Sequence, residues 1–357
     1  MKRPVVRKTF VLIVSVWLFA AVVSSAEEVQ RSTSFSVEGA YYLPDNKGYG
    51  VDDGGFAPIT YSPVSLPGTF ASIPGPSEDD EGRDLGSSWG PAEIQALITH
   101  RIAVPFLAGS GALTSGNNVT FALTGALTPV SARLEVQAKL TPIAFLNIYA
   151  GGMIGTGWDI GLFNGMGLNA GGSGVAQSAS FQGVVVKSQI GGTFQFDLAA
   201  VVPGEWTHVV TMISPELEYA AFSGAEEGEA WLWEADDAEN FNGFKFNGAY
   251  FLGYQMPLVL NTVGVLVETE QNLGYVKELS PMAAEGWGSD HVQITVSPLF
   301  NFTLSDSSSL AVLLQLRRER LYKESDESIF ANYYENRHAV GTYWDFYRIA
   351  FSYSLQL

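Results

Sequence analysis

The sequence contains no cysteine and few basic residues. Without cysteine the 357-residue chain forms no disulfides and carries no lipid-modified cysteine, although an exported protein could form disulfides. Its 19 lysines and arginines are outnumbered by 37 aspartates and glutamates, whereas phosphate contacts need clustered basic side chains. This balance predicts that no nucleic acid is a partner. Stability must come from backbone pairing and packing.

Long apolar runs are also missing after the N-terminus. No later stretch approaches the roughly 18 consecutive apolar residues of a membrane-spanning helix. Charged residues make up only 16% of the chain, which is low for a globular protein, whereas aromatic residues reach 13% and glycine is frequent. This composition favours a strand-rich chain over a helical one.

The first 26 residues have the pattern of a secretory signal peptide. Four basic residues within the first eight precede an apolar stretch at 11–23, and small residues follow at 24–26. We therefore expect residues 1–26 to be removed on export and residues 27–357 to form a single domain. An uncleaved membrane anchor is the alternative.

Strict two-residue alternation recurs along the rest of the chain. The segment VSARLEVQAKL at 130–140 places valine, alanine and leucine on one parity and serine, arginine, glutamate, glutamine and lysine on the other. A strand turns such a pattern into one apolar and one polar face. Comparable segments are near the length of a tilted strand that crosses a bilayer. They lie at approximately 33–43, 92–105, 118–128, 130–140, 143–156, 183–199, 206–222, 244–256, 260–270, 290–303, 308–320 and 342–357.

This series predicts an all-β fold, a transmembrane antiparallel up-and-down β-barrel of about twelve strands. Ten or fourteen strands are the alternatives, because 107–128 is the least regular stretch. Short connections are predicted near 140–142, 201–206, 256–261 and 305–309, and long ones near 44–91, 157–182, 223–243, 271–289 and 321–341. Outer-membrane barrels have such short turns on the periplasmic side and long loops on the extracellular side.

The last segment, YRIAFSYSLQL (347–357), alternates perfectly and is predicted to close the barrel by pairing with the first strand near Phe35–Tyr41. Together with the signal peptide and the other strands, it resembles bacterial outer-membrane β-barrels of porin-like type. The resemblance implies an outer-membrane location, outer-membrane lipid around the barrel, and recognition by the barrel-assembly machinery through terminal aromatic residues such as Phe351 and Tyr353. Leu357 differs from the terminal phenylalanine common in that class. VPFLAGSGALTSGNN and LTPIAFLNIYAGGMIGTGW also resemble spirochaete-type barrel proteins.

Charged side chains occupy the polar parity of the predicted strands. In a barrel this wide they would line a wet lumen or pair across it, and rings of charge determine which solutes pass. The pattern predicts passive passage of small solutes. The alternative is a sealed structural or adhesin-like barrel that acts through its loops. The candidate lumen-lining residues are Arg101, Arg133, Glu135, Lys139, Lys187, Asp197, Glu216, Glu218, Lys245, Glu268, Arg317, Glu319 and Arg348.

Aromatic residues cluster where predicted strands meet their connections. Amphipathic rings favour a membrane interface because one end is apolar and the other is wet. Packing in the core of a soluble sandwich is the other interpretation. The candidate interface aromatics are Trp158, Trp206, Trp287, Trp344, Phe351 and Tyr353.

Two predicted loops are strongly acidic, EDDEGRD at 78–84 and EEGEAWLWEADDAE at 226–239. Their carboxylates could bind divalent cations at the cell surface, although their spacing matches no EF-hand and solvated loops are the simpler interpretation. The second loop contains the apolar segment Trp231–Trp233. An adhesive tip, a gate and a plug that folds into the lumen are all compatible with it.

The chain offers little for catalysis. Ser289, Asp290 and His291 are adjacent, and adjacent residues of a strand face opposite ways, so they cannot form a triad with each other. The glycine-rich segment at 165–174 lacks the Lys-Ser/Thr of a phosphate-binding loop. We expect no enzymatic activity, no catalytic residue, no cofactor and no dedicated metal site. A site built on His338, Asp345 and a loop serine is the residual enzymatic alternative.

Overall fold

A computed structural model describes residues 29–42, 48–50, 56–58, 92–160, 165–168, 177–234, 240–323 and 338–357. The predicted signal peptide and the acidic segment 78–84 lie outside the described residues. No described helix is both long and apolar enough to cross a membrane.

Twelve long strands form one closed antiparallel sheet in which each strand pairs with its neighbours in sequence. The prediction of a twelve-stranded up-and-down barrel is confirmed, and the ten- and fourteen-stranded alternatives are excluded. The strands are β1 (Gln30–Tyr42), β2 (Ala92–Pro105), β3 (Asn118–Leu127), β4 (Ser131–Ile143), β5 (Leu146–Gly157), β6 (Val185–Asp197), β7 (Val209–Phe222), β8 (Gly243–Gln255), β9 (Leu260–Asn272), β10 (Val292–Ser305), β11 (Ser308–Lys323) and β12 (His338–Gln356).

The first and last strands close the barrel, as predicted. Val37 of β1 lies opposite Tyr353 of β12, and Gly39 lies opposite Phe351. On its other edge β12 pairs with β11. Every strand of the barrel therefore has two partners, so no strand edge is left open.

The outer face of the barrel is apolar. Ile98, Val136, Ile190 and Leu252 point outward and are 53–61% exposed, while the alternate residues of the same strands face a polar interior. Water would disfavour this exterior by about 25 cal/mol per Å² of apolar surface, whereas hydrocarbon does not. This arrangement is that of a barrel that spans a membrane, and it rules out a soluble sandwich with an apolar core between its sheets.

The two ends of the barrel differ in their connections. At the short-turn end, the strands are joined by residues 106–117, 144–145, 198–208, 256–259 and 306–307. At the long-loop end they are joined by residues 43–91, 128–130, 158–184, 223–242, 273–291 and 324–337. The predicted short and long connections fall at these two ends, but connection 106–117 at the first end has twelve residues and connection 128–130 at the second end has three.

Several short elements decorate the barrel. A 3-10 helix (Leu198–Ala200) lies at the short-turn end, and a helical turn, α1 (Tyr275–Glu278), is followed by a 3-10 helix (Met282–Ala284) at the long-loop end. Short strands Met166–Leu168, Gln177–Ser178 and Trp231–Trp233 form a separate three-stranded sheet. Two further short strands, Gly48–Gly50 and Phe56–Pro58, pair with each other, and the first adjoins β11.

Candidate functional site

Polar side chains line two cavities inside the described part of the barrel. The larger cavity has a volume of about 570 Å³ and is lined by residues of the consecutive strands β5 to β12. The smaller, of about 350 Å³, lies between β2 and β6 and is bounded by Trp233 and Glu234. Lys187 borders both cavities.

Most of the candidate lumen residues line these cavities. The smaller cavity is bordered by Arg133, Glu135 and Lys187. The candidate residues that border the larger cavity are Lys187, Glu216, Glu218, Lys245, Glu268, Arg317 and Arg348.

The remaining four candidates lie elsewhere on the polar face or beyond it. Arg101 and Lys139 are closer to the short-turn end, where Arg101 donates to Ser34 Oγ at 3.2 Å. Asp197 is the last residue of β6, and its carboxylate pairs with His208 at 2.7 Å. Glu319 forms an ion pair with Arg317, with Oε1 2.7 Å from Nε.

The acidic side of the larger cavity is formed by β7 and β9 with β8 between them. Lys245 Nζ lies 2.7 Å from Glu270 Oε1, and Lys187 Nζ lies 3.6 Å from Glu218 Oε1. Glu216 accepts hydrogen bonds from Tyr149 and from the amide of Asn247. These contacts hold the carboxylates on the cavity wall. Glu270 has the same parity as Glu268 and could have been predicted from the alternation.

The opposite side of the larger cavity is basic. The guanidinium groups of Arg317 and Arg348 lie 4.2 and 5.0 Å from the centre of the Tyr347 ring. Arg348 Nε donates to Gln315 Oε1 at 2.5 Å, and the Gln315 amide donates to Glu268 at 3.5 Å. This chain of contacts links the basic side to the acidic side.

Tyr347 reaches the lumen because the register of β11 and β12 shifts between Gln315 and Leu316. Gln315 lies opposite Arg348, but Leu316 lies opposite Phe346, so Tyr347 is the extra residue of a β-bulge. Neighbours in a regular strand face opposite sides, whereas Tyr347 and Arg348 both line the cavity. The alternation of the sequence gives no sign of this bulge, and Tyr347 was not among the candidates.

The apolar segment Trp231–Trp233 folds into the mouth of the barrel at the long-loop end. It pairs with Met166–Leu168, and its side chains are between 0% and 6% exposed. Trp231 and Trp233 pack in a cluster with Met166, Val185 and Phe222. This burial rules out the exposed adhesive tip and leaves a gate or a plug.

Gly155 of β5 makes room for this segment. A Cβ atom at Gly155 would lie 2.8 Å from the Trp233 ring, which is closer than carbon atoms approach. The glycine therefore permits the indole to lie against the inner wall.

Glu234 fixes the end of the inward-folded segment to the barrel wall. Its Oε1 atom accepts from Arg133 Nη1 at 2.6 Å and from Ser131 Oγ at 2.7 Å. The same guanidinium donates to Glu135 and to Gln95 at 2.6 Å each. Charge-assisted bonds of this kind are stronger than neutral ones, so the segment is anchored by a network that reaches β2 and β4.

A second apolar cluster covers the mouth beside the first. Phe241 and Trp287 stack with ring centres 5.2 Å apart, and Val276 and Ala339 pack with them. Burial raises the pKa of the nearby Tyr275 hydroxyl, which donates to the Asn242 carbonyl oxygen. Together the two clusters narrow the long-loop end.

The prediction that Trp287 lies at the membrane interface is wrong. The side chain is only 4% exposed, and the guanidinium of Arg320 lies 5.6 Å from its ring. The connection 273–291 turns back over the barrel mouth and removes this tryptophan from the outer surface.

The other candidate interface aromatics have outward or rim positions. Trp206 and Trp344 are 53% and 54% exposed. Trp158 stacks on Phe181 at 5.4 Å. Phe351 and Tyr353 lie on the outer parity of β12, with Phe351 38% exposed.

The adjacent Ser289, Asp290 and His291 have separate contacts. Ser289 Oγ donates to the Lys277 carbonyl oxygen at 2.8 Å, and Asp290 accepts from the Met282 backbone at 2.9 Å. His291 Nε2 lies 3.2 Å from the Arg318 carbonyl oxygen. These contacts are structural rather than those of a triad.

Among the described residues no group of three or more histidine, aspartate or glutamate side chains is placed to hold a metal ion. Two parts of the acidic loops that were candidates for cation binding, 78–84 and 235–239, lie outside the described residues. His338 contacts the Glu285 carbonyl oxygen, and the side chain of Asp345 is outside the described set.

No protein-family model and no curated protein matches the chain. Solved structures of similar overall arrangement include the translocator domain of the autotransporter NalP from Neisseria meningitidis, at 9% identity, 97% and 96% coverage of this chain and that one, and a TM-score of 0.31. They also include the trimeric form of OmpT, an outer membrane protein of Vibrio cholerae. The identity is 7%, the match covers 92% of this chain and 99% of that one, and the TM-score is 0.33. A third is the outer membrane channel DcaP of Acinetobacter baumannii. Its identity is 8%, the match covers 92% of this chain and 97% of that one, and the TM-score is 0.29.

Likeness at this level carries no argument about function. The chain's own geometry, a closed twelve-stranded antiparallel barrel with an apolar exterior and a polar interior, is that of a transmembrane β-barrel. The resemblance to spirochaete-type barrels stays a prediction.

Proposed function

We propose that the protein is a passive channel of the outer membrane for small polar solutes. The observation that carries this proposal is the cavity of about 570 Å³ inside a closed barrel, lined by carboxylates, guanidiniums and amides. Burying charges in a dry interior is costly, so a lumen with this lining is best accounted for by water and polar solutes within it.

The dimensions favour small solutes. Small-molecule sites commonly have volumes of about 300–1,000 Å³, and one water molecule takes about 30 Å³ of liquid volume. The larger cavity therefore has room for a solute of several heavy atoms with some of its water. The two apolar clusters at the long-loop end restrict entry from that side.

The charges within the lumen favour polar solutes of either sign. Glu216, Glu218 and Glu268 border one side of the larger cavity, and Arg317 and Arg348 border the other. Such an arrangement stabilises polar groups without a single dominant sign.

Purified protein reconstituted into planar bilayers and liposomes provides the test. We expect discrete conductance steps and a swelling rate that falls steeply as the solute becomes larger. Protein that is folded, as judged by a heat-modifiable band on electrophoresis, but gives neither steps nor swelling would overturn the proposal.

A sealed structural or surface-interaction barrel is the second candidate. The inward-folded segment and its Arg133–Glu234 ion pair favour it, because they fasten apolar side chains across the mouth. In this case the long, acidic loops would provide the function, and the bilayer experiment would give no conductance.

The proposal includes export by the cleaved signal peptide, insertion by the barrel-assembly machinery, and no catalytic role. Fractionation tests the location: recovery in the soluble fraction without detergent would contradict it. Loss of turnover on a lipid or peptide substrate in both His291→Ala and His338→Ala would instead support the enzymatic alternative.

A further inference from the structure

The connections at the short-turn end are almost free of charge. The five of them contain two formally charged residues, Glu205 and Asp306. At the adjoining strand end, Asp197 is paired with His208. The described connections of the long-loop end, in contrast, contain several glutamates. The short-turn end therefore carries little charge, although turn 106–117 contains the glycine, serine and asparagine residues that are usual in turns.

These connections also expose large apolar side chains. Leu107, Val201 and Val259 are 65–67% exposed, although they lie in three different turns. At least one exposed apolar side chain lies in or beside the turns 106–117, 198–208, 256–259 and 306–307. Further exposed members are Phe106, Leu113, Leu198, Val202, Trp206, Leu258, Leu304 and Leu357.

The distribution of these side chains indicates what covers them. A protein partner docks on one patch, and large exposed patches usually mark such a site. Here the apolar side chains recur around the rim, and they continue the lipid-facing belt of the strands, for example from Val209 at the start of β7 to Trp206 in the preceding turn. Continuity with the apolar belt favours lipid as the occupant.

Backbone hydrogen bonds join the connections of the rim to the adjacent segments. Polar backbone groups in hydrocarbon need internal partners, whereas groups in water do not. The hydrogen bonds that join each connection to the next segment of the rim run from Ala144 N to Leu113 O, from Gln195 N to Phe145 O, from Gln255 N to His208 O, from Thr303 N to Val259 O, from Gln356 N to Ser307 O and from Leu357 N to Thr33 O, at 2.8–2.9 Å.

Two aromatic residues, Tyr254 and Trp206, contact each other on the rim at the end of β8. The Tyr254 hydroxyl donates to the Trp206 carbonyl oxygen at 2.8 Å, and the Trp206 ring is half exposed. Tryptophan and tyrosine are enriched where acyl chains meet headgroups. This pair therefore occupies the rim in the way expected of an interfacial anchor.

We propose that the short-turn rim is immersed in the membrane, with the phospholipid acyl chains of the leaflet on that side extending past the strand ends to cover turns 106–117, 198–208 and 256–259. The barrel thereby sits deeper on this side than its strand ends indicate, and the rim is a lipid-binding surface independent of whether the lumen conducts.

Because the chain has no cysteine, single-cysteine labelling can test the proposal. Leu107→Cys, Val201→Cys and Val259→Cys would each carry a nitroxide label in the full-length protein, reconstituted into phosphatidylcholine vesicles without any other protein. Collision with dissolved oxygen reports acyl chains, and collision with a neutral nickel chelate reports water. The highly exposed side chains make these substitutions harmless to packing.

Two matched variants set the scale. Val136→Cys places a label on the lipid-facing side of β4 and serves as the reference for acyl chains. Glu227→Cys places a label on an exposed position at the long-loop end and serves as the reference for water. We expect the three rim labels to favour oxygen over the chelate severalfold, as the Val136→Cys label does, and the Glu227→Cys label to favour the chelate. Chelate accessibility equal to that of the Glu227→Cys label at two or more of the three rim positions would overturn the proposal and would leave the apolar rim to a protein partner.

Discussion

Arg133 of β4 and Glu234 of the inward-folded segment form an ion pair in which Arg133 Nη1 donates to Glu234 Oε1 at 2.6 Å. Both side chains are largely buried, at 12% and 19% exposure. Arg133 also contacts Glu135 and Gln95, so the guanidinium keeps partners if Glu234 leaves. The pair joins the barrel wall to the segment that narrows the mouth.

We expect Glu234→Gln to loosen the inward-folded segment while the barrel remains folded. The substitution keeps the shape but removes the charge from a bond of about 1.5–3 kcal/mol. If the lumen conducts, single-channel recordings should show longer or more frequent high-conductance periods than in the unaltered protein.

Glu135→Gln is the matched control for this variant. It removes a carboxylate from the same guanidinium, but Glu135 lies on β4 and does not belong to the segment. Equal conductance in the two variants would contradict the role of Glu234 as the anchor.

The two sides of the larger cavity should shift ion selectivity in opposite directions. Arg348→Gln removes a positive charge from the basic side and is expected to move the reversal potential in a salt gradient toward cation preference. Glu268→Gln removes a negative charge close to the same position, because Gln315 contacts both residues, and is expected to move it toward anion preference. Shifts of the same sign would argue against this charge arrangement.

The strands were predictable from the sequence because lipid and water act on alternate residues along each of them. Strand β2 was predicted at its observed bounds, 92–105. Strands β11 and β12 extend to Lys323 and from His338, beyond the predicted 320 and 342. Register shifts near Gln315 and Leu321 interrupt the parity there, so a two-residue count ends early.

The candidate site was predictable only where the strands alone determine it. Glu218 and Lys245 lie directly opposite each other on β7 and β8, and their parity predicted that both face the lumen. Glu234 contacts Arg133 across about a hundred residues of sequence, and no local pattern encodes such a contact. Trp287 was misplaced for the same reason, since only the tertiary structure turns its connection over the mouth.

Gly264 of β9 provides a test of packing in the barrel wall. A Cβ atom at this position would lie 2.6 Å from the Phe251 ring and 2.7 Å from the Leu252 carbonyl oxygen. Gly264→Ala is therefore expected to destabilise the barrel by about 1–3 kcal/mol, as overpacking does. The measurement is the temperature at which the folded electrophoretic band converts to the unfolded one.

Gly125→Ala is the control for Gly264→Ala, since no atom lies within 4 Å of a Cβ placed at Gly125. Its conversion temperature should stay within a few degrees of that of the unaltered protein. If both variants convert at the same temperature, close packing around Phe251 does not limit the stability of this wall.

Deletion of 351–357 should abolish folding of the barrel in the membrane. These residues pair with β1 along one edge and with β11 along the other, and without them only Arg348, Ile349 and Ala350 remain paired with β1. The open edges would leave unpaired backbone groups in hydrocarbon, at a cost of several kcal/mol each. We expect the truncated protein to lose its heat-modifiable band both in cells and in purified lipid.

The double variant Phe351→Ala with Tyr353→Ala keeps the backbone pairing but removes the two terminal aromatic side chains. If aromatic recognition by the assembly machinery matters, this variant should fold in purified lipid yet accumulate outside the membrane in cells. Normal insertion of the truncated chain would disprove closure by β12.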